Sequence, residues 1–113
     1  MKQDIVQHHW TEKKIIGGVE VDCPAGGTAF GPGLCVSFQN GPLGRGSDRK
    51  EPNGCFVETL ISAAIGRLDF YQSSRFNCTA NQEALEHLAA ALQVLENRTK
   101  DRDLRGVEGT HKE

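Results

Sequence analysis

The distribution of glycine divides this chain into two parts that have to fold differently. Most of its 13 glycines lie before residue 50, and glycine interrupts helices while permitting the tight turns that join short strands. The second half instead repeats apolar residues at helical spacing. The sequence therefore predicts an α+β fold, in which a small N-terminal antiparallel β-sheet is packed with a C-terminal two-helix hairpin.

Short apolar pieces between the glycines predict the strands. Residues 34–38 form the clearest one, because they are rich in side chains that suit a pleated surface and are followed by a turn signal at residues 40–42. Two shorter apolar pieces flank the pair Gly17-Gly18 and predict two more strands. Residues 44–52 are polar and charged, and we expect this segment to be mobile.

The first predicted helix spans about residues 53–72, with Asn53 as its cap. Its apolar face is formed by Val57, Leu60, Ile61, Ala64, Leu68 and Tyr71. Burial of this face, at ~1.5–3 kcal/mol for each large side chain, is expected to help anchor the domain.

The second predicted helix spans about residues 80–105. A capping box of Thr79 and Gln82 marks its start, and Gly106 marks its end. Its apolar seam is formed by Leu85, Leu88, Leu92 and Leu95. Short connections between two helices of this kind predict an antiparallel hairpin.

Length and charge limit what the chain can do. The 113 residues suit a single domain, with a glycine-rich β portion at 1–50 and a helical hairpin and ligand-binding tail at 51–113. Small domains bury a limited share of their surface, so we expect self-association. The formal net charge of −2 gives no global basic field for DNA or RNA, so any anion site has to be local.

Targeting and metal signals are lacking in the sequence. The first ten residues hold no apolar run typical of a signal peptide, and no stretch approaches the ~20 apolar residues of a membrane span. We therefore expect a soluble protein of the cytoplasm with reduced cysteines. The four cysteines and the histidines lack the close spacing of zinc ligands, so we expect no metal and no cofactor.

A cationic stripe is the first candidate site. It consists of Arg98, Arg102 and Arg105, which share one helix face because they lie four and then three residues apart. Guanidinium groups match phosphate oxygens, which makes the stripe a candidate phosphate site. The spacing alone favours the other interpretation, a solvated helix end whose basic residues complement the helix dipole.

The second candidate is the C-terminal run R-G-V-E-G-T-H at residues 105–111. Gly106 and Gly109 let the backbone turn and approach a ligand closely. Exposed amides, the Thr110 hydroxyl and the His111 imidazole could together hold an anion. The default interpretation of a terminal segment, however, is a frayed end.

The tip of the hairpin is the third candidate. Tyr71 ends the first predicted helix and Asn81 begins the second, and an aromatic ring stacks on a base while an amide reads the edge of adenine. The alternative is that Tyr71 packs in the core and Asn81 caps its helix. No catalytic motif accompanies these residues, since the chain has no G-x-S-x-G and no P-loop.

Several runs of residues together resemble a known family. They are F-Q-N-G-P at 38–42, G-R-L-D-F-Y-Q at 66–72, L-E-N-R-T at 95–99 and the terminal R-G-V-E-G-T-H. Over residues 34–113 the chain resembles the phage anti-Thoeris sponges, which bind glycocyclic ADP-ribose messengers. Its hairpin also resembles that of the phage anti-CBASS sponges, which bind cyclic di- and trinucleotides.

The resemblance implies a homo-oligomer, either a dimer or an assembly of dimers up to a hexamer, that hides an immune messenger from its bacterial effector. By position, Tyr71 matches an aromatic residue that stacks on the base, Asn81 the polar residue beside it, and Arg98 an arginine near the pyrophosphate. Thr79-Ala80 replaces an Arg-Glu pair whose arginine is linked to trinucleotide binding in the family. The candidate ligand-binding residues are Tyr71, Asn81, Arg98, Arg102, Arg105, Gly109, Thr110 and His111.

Helix geometry adds a constraint. Asn81 and Arg98 lie 17 positions apart on one predicted helix, which at ~1.5 Å per residue separates them by roughly 25 Å. A compact cyclic dinucleotide does not span that distance within one protomer. If both residues contact one messenger, the arginine has to come from a neighbouring protomer, which gives two equivalent sites in a symmetric dimer.

The sequence therefore predicts a phage anti-defence sponge that sequesters a cyclic ADP-ribose-type nucleotide in the host cytoplasm without degrading it. Three alternatives remain: a sponge for the cyclic di- and trinucleotides of CBASS, an enzyme that degrades the messenger, and a structural or protein-binding phage module. An enzyme would need a general base or metal ligands beside Arg98, and the sequence shows neither.

Overall fold

The computed structural model describes residues 4–110. Its elements follow the order β1 (Val6–Ile16), β2 (Val19–Gly31), β3 (Leu34–Phe38), a short 3-10 helix (Gly46–Asp48), α1 (Val57–Gln72) and α2 (Thr79–Leu104). The strands form one antiparallel sheet in the order β1-β2-β3. The predicted α+β class, with a small sheet before two helices, is confirmed.

Glycine makes both turns of the sheet. Gly17 and Gly18 join β1 to β2 with φ angles of 61° and 79°, and a two-residue hairpin turn with positive φ at both positions matches the twist of the flanking strands. Pro32 and Gly33 join β2 to β3, and the φ of Gly33 is 75°. Proline followed by a positive-φ glycine is typical of a type II turn.

The first two strands are longer than the sequence predicts. β1 has 11 residues and β2 has 13. Their register shifts between His9 and Thr11, so that two residues of β2 lie opposite Trp10. Pro24 pairs with Thr11 beside this bulge, and bulges are among the positions where a strand tolerates proline.

The predicted first helix begins later than expected, because the residues before it bind the end of β3 and the two residues that follow it. Asn53 accepts the backbone N–H of Asn40 through Oδ1 at 2.8 Å and donates from Nδ2 to the Asn40 carbonyl at 3.0 Å. Cys55 exchanges backbone hydrogen bonds with Ser37 and Gln39 at 2.7 and 3.0 Å. The side chain of Asn53 is thereby committed to Asn40, just after β3, and the prediction that it caps α1 is wrong.

The start of α2 differs from the predicted capping box by one residue. Thr79 lies inside the helix, and the preceding Cys78 accepts the backbone N–H of Asn81 through Sγ at 3.4 Å. The helix ends at Leu104, and Gly106 follows with a φ of 76°. The left-handed glycine just beyond the last turn confirms the predicted stop signal.

Burial differs sharply between sheet and helices. Among the described residues, the buried apolar side chains are Cys23, Ala29 and Val36, all in the sheet. Neither helix has a buried residue, and the seam leucines at 85, 88, 92 and 95 are at best half-buried. The large apolar side chains of the two helices that remain exposed are instead Val57, Phe70, Val94 and Leu104.

The described chain forms two compact units. One contains the sheet, the residues up to Phe56 and the tail that begins at Arg105, and the other is the hairpin from Val57 to Leu104. The division at residue 50 stays a prediction. Neither α1 nor α2 combines the length and the apolar character that a bilayer-spanning helix requires.

Candidate ligand-binding site

One glutamine closes the tip of the hairpin. Gln72 donates from Nε2 to the Cys78 carbonyl at 3.1 Å and accepts the Cys78 backbone N–H through Oε1 at 2.9 Å. Ser74 supports the same turn, because its hydroxyl donates to the Tyr71 carbonyl at 2.5 Å and accepts the Phe76 N–H at 3.1 Å. These contacts hold the end of α1 next to the start of α2, so Tyr71 and Asn81 belong to one tip.

Tyr71 lies under a guanidinium group. Arg67, one turn earlier, donates from Nε to the Tyr71 hydroxyl at 3.1 Å. Its Cζ atom lies 4.9 Å from the Tyr71 ring centre and 5.1 Å from the Phe70 ring centre. The ring is half-buried, and the contact fixes its orientation while placing a positive charge beside it. Arg67 was not among the residues predicted for the site, although its spacing of four residues from Tyr71 was a usable signal.

Asn81 lies on the other side of the turn. It is half-buried, and its Nδ2 donates to the Phe76 carbonyl at 3.4 Å. Phe76 is itself 63% exposed and carries the Arg75 guanidinium 4.9 Å from its ring centre. The tip therefore presents aromatic rings and cations together, including two residues, Arg75 and Phe76, that the sequence analysis did not single out.

The cationic stripe is divided by the end of α2. Arg98 and Arg102 lie one turn apart on the helix, as predicted, whereas Arg105 follows its last residue. Arg98 is exposed and makes no side-chain hydrogen bond or ion pair with another residue in the range 4–110. The helix runs without a break from Asn81 to Arg98, which confirms the premise of the roughly 25 Å separation.

The C-terminal tail lies against a loop of the sheet unit, and we call this contact the tail clasp (residues 43–50 with 107–110). The Gly44 N–H donates to the Gly109 carbonyl at 2.8 Å. Arg45 donates from Nη1 to the Glu108 carbonyl at 2.9 Å, and Arg49 donates from Nη1 to both Glu108 carboxylate oxygens at 2.9 and 2.7 Å. The expectation of a mobile segment at 44–52 and the default of a frayed tail are both wrong for these residues.

Two of the predicted site residues, Gly109 and Thr110, have structural roles within the tail clasp. Gly109 has a φ of 78°, and a side chain there would overlap the Gly44 carbonyl, so glycine is required for packing at this position. Thr110 donates from its N–H and its hydroxyl to the Val107 carbonyl, at 3.1 and 2.5 Å. His111, the last predicted site residue, lies outside the described residues.

The sheet unit also contains a polar depression of about 350 Å³. None of the predicted site residues lines it. Its walls are formed by Glu12, Lys14, Gln39, Asn40, Gly41, Pro42, Lys50, Glu51 and Asn53. Among the residues that the structure describes, no group of three histidine, cysteine or acidic side chains is placed to hold a metal ion.

Comparison with known proteins adds the decisive similarity. No protein-family model matches the chain. A curated protein of Bacillus phage SBSphiJ7, named Thoeris anti-defense 1, is 45% identical over 76 residues, which is 67% of this chain. The resemblance to the anti-Thoeris family is confirmed. The matched region covers 51% of the anti-Thoeris relative, so this chain spans about half the length of that protein.

Proposed function

We propose that this chain is a phage anti-Thoeris protein that binds a cyclic ADP-ribose-type signalling nucleotide and sequesters it in the host cytoplasm without degrading it. The observation that carries the proposal is the 45% identity to a protein named Thoeris anti-defense 1. The hairpin supports it chemically, because it offers an oriented aromatic ring, an amide and exposed arginines, which are the groups that bind a base and its phosphates.

The tip would bind the base of the messenger. The Tyr71 ring is already held by Arg67, so little conformational freedom remains to be lost when a base stacks on it. Stacking of one base on an aromatic side chain contributes ~1–3 kcal/mol. The Asn81 amide, half-buried beside the turn, would add a donor and an acceptor for the base edge.

Arg98 would bind the pyrophosphate. It is exposed and forms no side-chain ion pair with the other described residues, so binding an anion does not require an existing contact to break. Charge-assisted hydrogen bonds are roughly twice as strong as neutral ones. Together with base stacking, such contacts could support nanomolar affinity, about −12 kcal/mol.

We propose further that Tyr71 and Asn81 of one protomer meet Arg98 of another in a homo-oligomer. The support is the length of α2, because roughly 25 Å separates Asn81 from Arg98 along one helix. The exposed apolar side chains of the two helices, Val57, Phe70, Val94 and Leu104, would supply surface for self-association. Arg102, Arg105, Gly109, Thr110 and His111 remain proposed contacts of the same ligand.

Calorimetry with a glycocyclic ADP-ribose tests the binding. Arg98→Ala is expected to weaken affinity at least about tenfold, equivalent to ~1.4 kcal/mol, without unfolding the protein. Lys100→Ala is the matched control, since Lys100 is an exposed cation of α2 that lies about 200° around the helix from Arg98. Equal affinities of the two variants would remove Arg98 from the site.

The same sample distinguishes the other functions. After the complex is heated, chromatography is expected to return the messenger intact, whereas a cleaved product would indicate a hydrolase. In a thermal-shift panel, the cyclic ADP-ribose should stabilise the protein. Stabilisation by cyclic di- or trinucleotides without stabilisation by the cyclic ADP-ribose would favour the CBASS alternative. Stabilisation by none of these nucleotides would contradict the proposed function.

Mixing two variants that each bind the messenger more weakly tests the shared site, with binding measured at a messenger concentration that fills only native sites. In a dimer, Tyr71→Ala and Arg98→Ala protomers form mixed pairs in which one of the two sites keeps both native residues. Random mixing after denaturation and refolding should therefore restore about a quarter of the wild-type sites. If both residues serve the site from one protomer, mixing restores no site.

A further inference from the structure

The tail clasp contains a carboxylate held by two arginines that come from a distant part of the chain. The Glu108 side chain is only 22% exposed. Arg49 donates from Nη1 to both of its oxygens, at 2.9 and 2.7 Å, and Arg45 Nη1 lies 3.8 Å from Oε2. The arginines thus converge on one anionic group.

The loop positions these arginines through its own backbone. Arg49 donates from Nη1 to the Gly44 carbonyl at 3.2 Å and from its N–H to the Gly46 carbonyl at 3.2 Å. The Lys50 N–H donates to the Leu43 carbonyl at 2.6 Å and closes the loop. The loop's own contacts thus hold the Arg49 guanidinium in place, whichever anion it faces, and fix the backbone that carries Arg45.

Arg45 and Arg49 can make more contacts with a phosphate group than with the Glu108 carboxylate that they bind. A phosphate group offers three terminal oxygens and up to two negative charges, whereas Glu108 offers two oxygens and one charge. Guanidinium forks match phosphate geometry. The Arg45 and Arg49 side chains are 37% and 42% exposed, so a dissolved anion can reach them.

We propose that Arg45 and Arg49 form a binding site for a phosphate-class oxyanion, and that Glu108 occupies this site as an internal ligand until phosphate displaces it. Glu108 and phosphate compete for the same donors. Phosphate binding therefore releases the Glu108 side chain and weakens the tail clasp, and any change that removes the charge of Glu108 strengthens phosphate binding. The inference does not rest on the proposed function, because Arg45, Arg49 and Glu108 are not among the proposed contacts of the messenger.

Calorimetry with inorganic pyrophosphate at constant ionic strength tests the competition. Glu108→Gln keeps the shape of the side chain and removes its charge, and we expect it to raise pyrophosphate affinity about tenfold, the effect of one charge-assisted contact. Glu96→Gln is the matched control, because it removes an equal charge from an exposed position on α2. Adding Arg45→Ala and Arg49→Ala to the Glu108→Gln protein should abolish the gain.

The inference is overturned if Glu108→Gln binds pyrophosphate no better than Glu96→Gln, or if the gain survives loss of both arginines. A second measurement uses the unaltered protein, in case the variant does not fold. Pyrophosphate should accelerate hydrogen exchange of the Gly44 amide, which donates within the clasp, and sodium chloride at equal ionic strength should not. Equal exchange with the two salts shows that the carboxylate is a structural contact only.

Discussion

Replacing Gly109 with alanine should open the tail clasp, and the backbone geometry at Gly109 gives the size of the expected destabilisation. The φ of Gly109 is 78°, and a left-handed conformation costs a residue with a Cβ atom ~1–2 kcal/mol. That Cβ would overlap the Gly44 carbonyl oxygen, which is backbone and cannot rotate away. Loss of the hydrogen bond from the Gly44 N–H to the Gly109 carbonyl costs a further ~0.5–1.5 kcal/mol. We expect a local destabilisation of about 1.5–3.5 kcal/mol.

Gly106→Ala separates the two contributions. Gly106 has nearly the same φ, 76°, but a Cβ there meets no described atom within 4 Å. This variant should carry only the backbone cost of ~1–2 kcal/mol. The comparison therefore isolates the steric contact between the tail and the loop from the conformational preference of glycine.

Hydrogen exchange of the Gly44 and Lys50 amides, followed by NMR, measures the clasp directly, because both amides donate within it. Local opening sets the exchange rate of such protected amides. In Gly109→Ala the Gly44 amide should exchange several-fold to about tenfold faster than in Gly106→Ala. Equal exchange in the two variants would refute the argument that close packing at Gly109 holds the tail.

Two further predictions concern the hairpin tip. Gln72→Ala removes both hydrogen bonds to Cys78 and should lower the free energy of unfolding by about 1–2 kcal/mol, as measured by urea denaturation, whereas Gln82→Ala, on the exposed surface of α2, should change it by less than about 0.5 kcal/mol. Tyr71→Phe loses the hydrogen bond from Arg67 but keeps the ring, so messenger affinity in calorimetry should stay within about threefold of wild type, while Tyr71→Ala should lose the ~1–3 kcal/mol of base stacking. Unchanged affinity in Tyr71→Ala would exclude stacking at the tip.

Local signals in the sequence were sufficient wherever neighbouring residues determine the conformation. The Gly17-Gly18 turn follows from backbone freedom, and α1 and α2 follow from apolar side chains that share one face of each helix. The same signals failed where a distant partner intervenes. Asn53 has the chemistry of a helix cap, but Gln39 and Asn40, just after β3, offer it several hydrogen bonds instead.

The candidate site also contains residues that the sequence predicts and contacts that only the folded structure shows. Tyr71, Asn81 and Arg98 were found from their residue types, their spacing and a family resemblance, and the structure places the first two at one tip and the third on the same unbroken helix as Asn81. The pairing of Arg49 with Glu108 joins residues 59 positions apart, and no periodicity in the sequence relates them.

The sequence by itself determined the class of the fold, the turn at Gly17-Gly18 and the helical hairpin, because each depends on interactions between residues near one another in the chain. Only the tertiary structure decided where α1 begins, how β2 continues past Pro24, and that the tail is held by Arg45 and Arg49. Those features depend on hydrogen bonds and ion pairs between distant segments, whose formation requires the chain to be folded first.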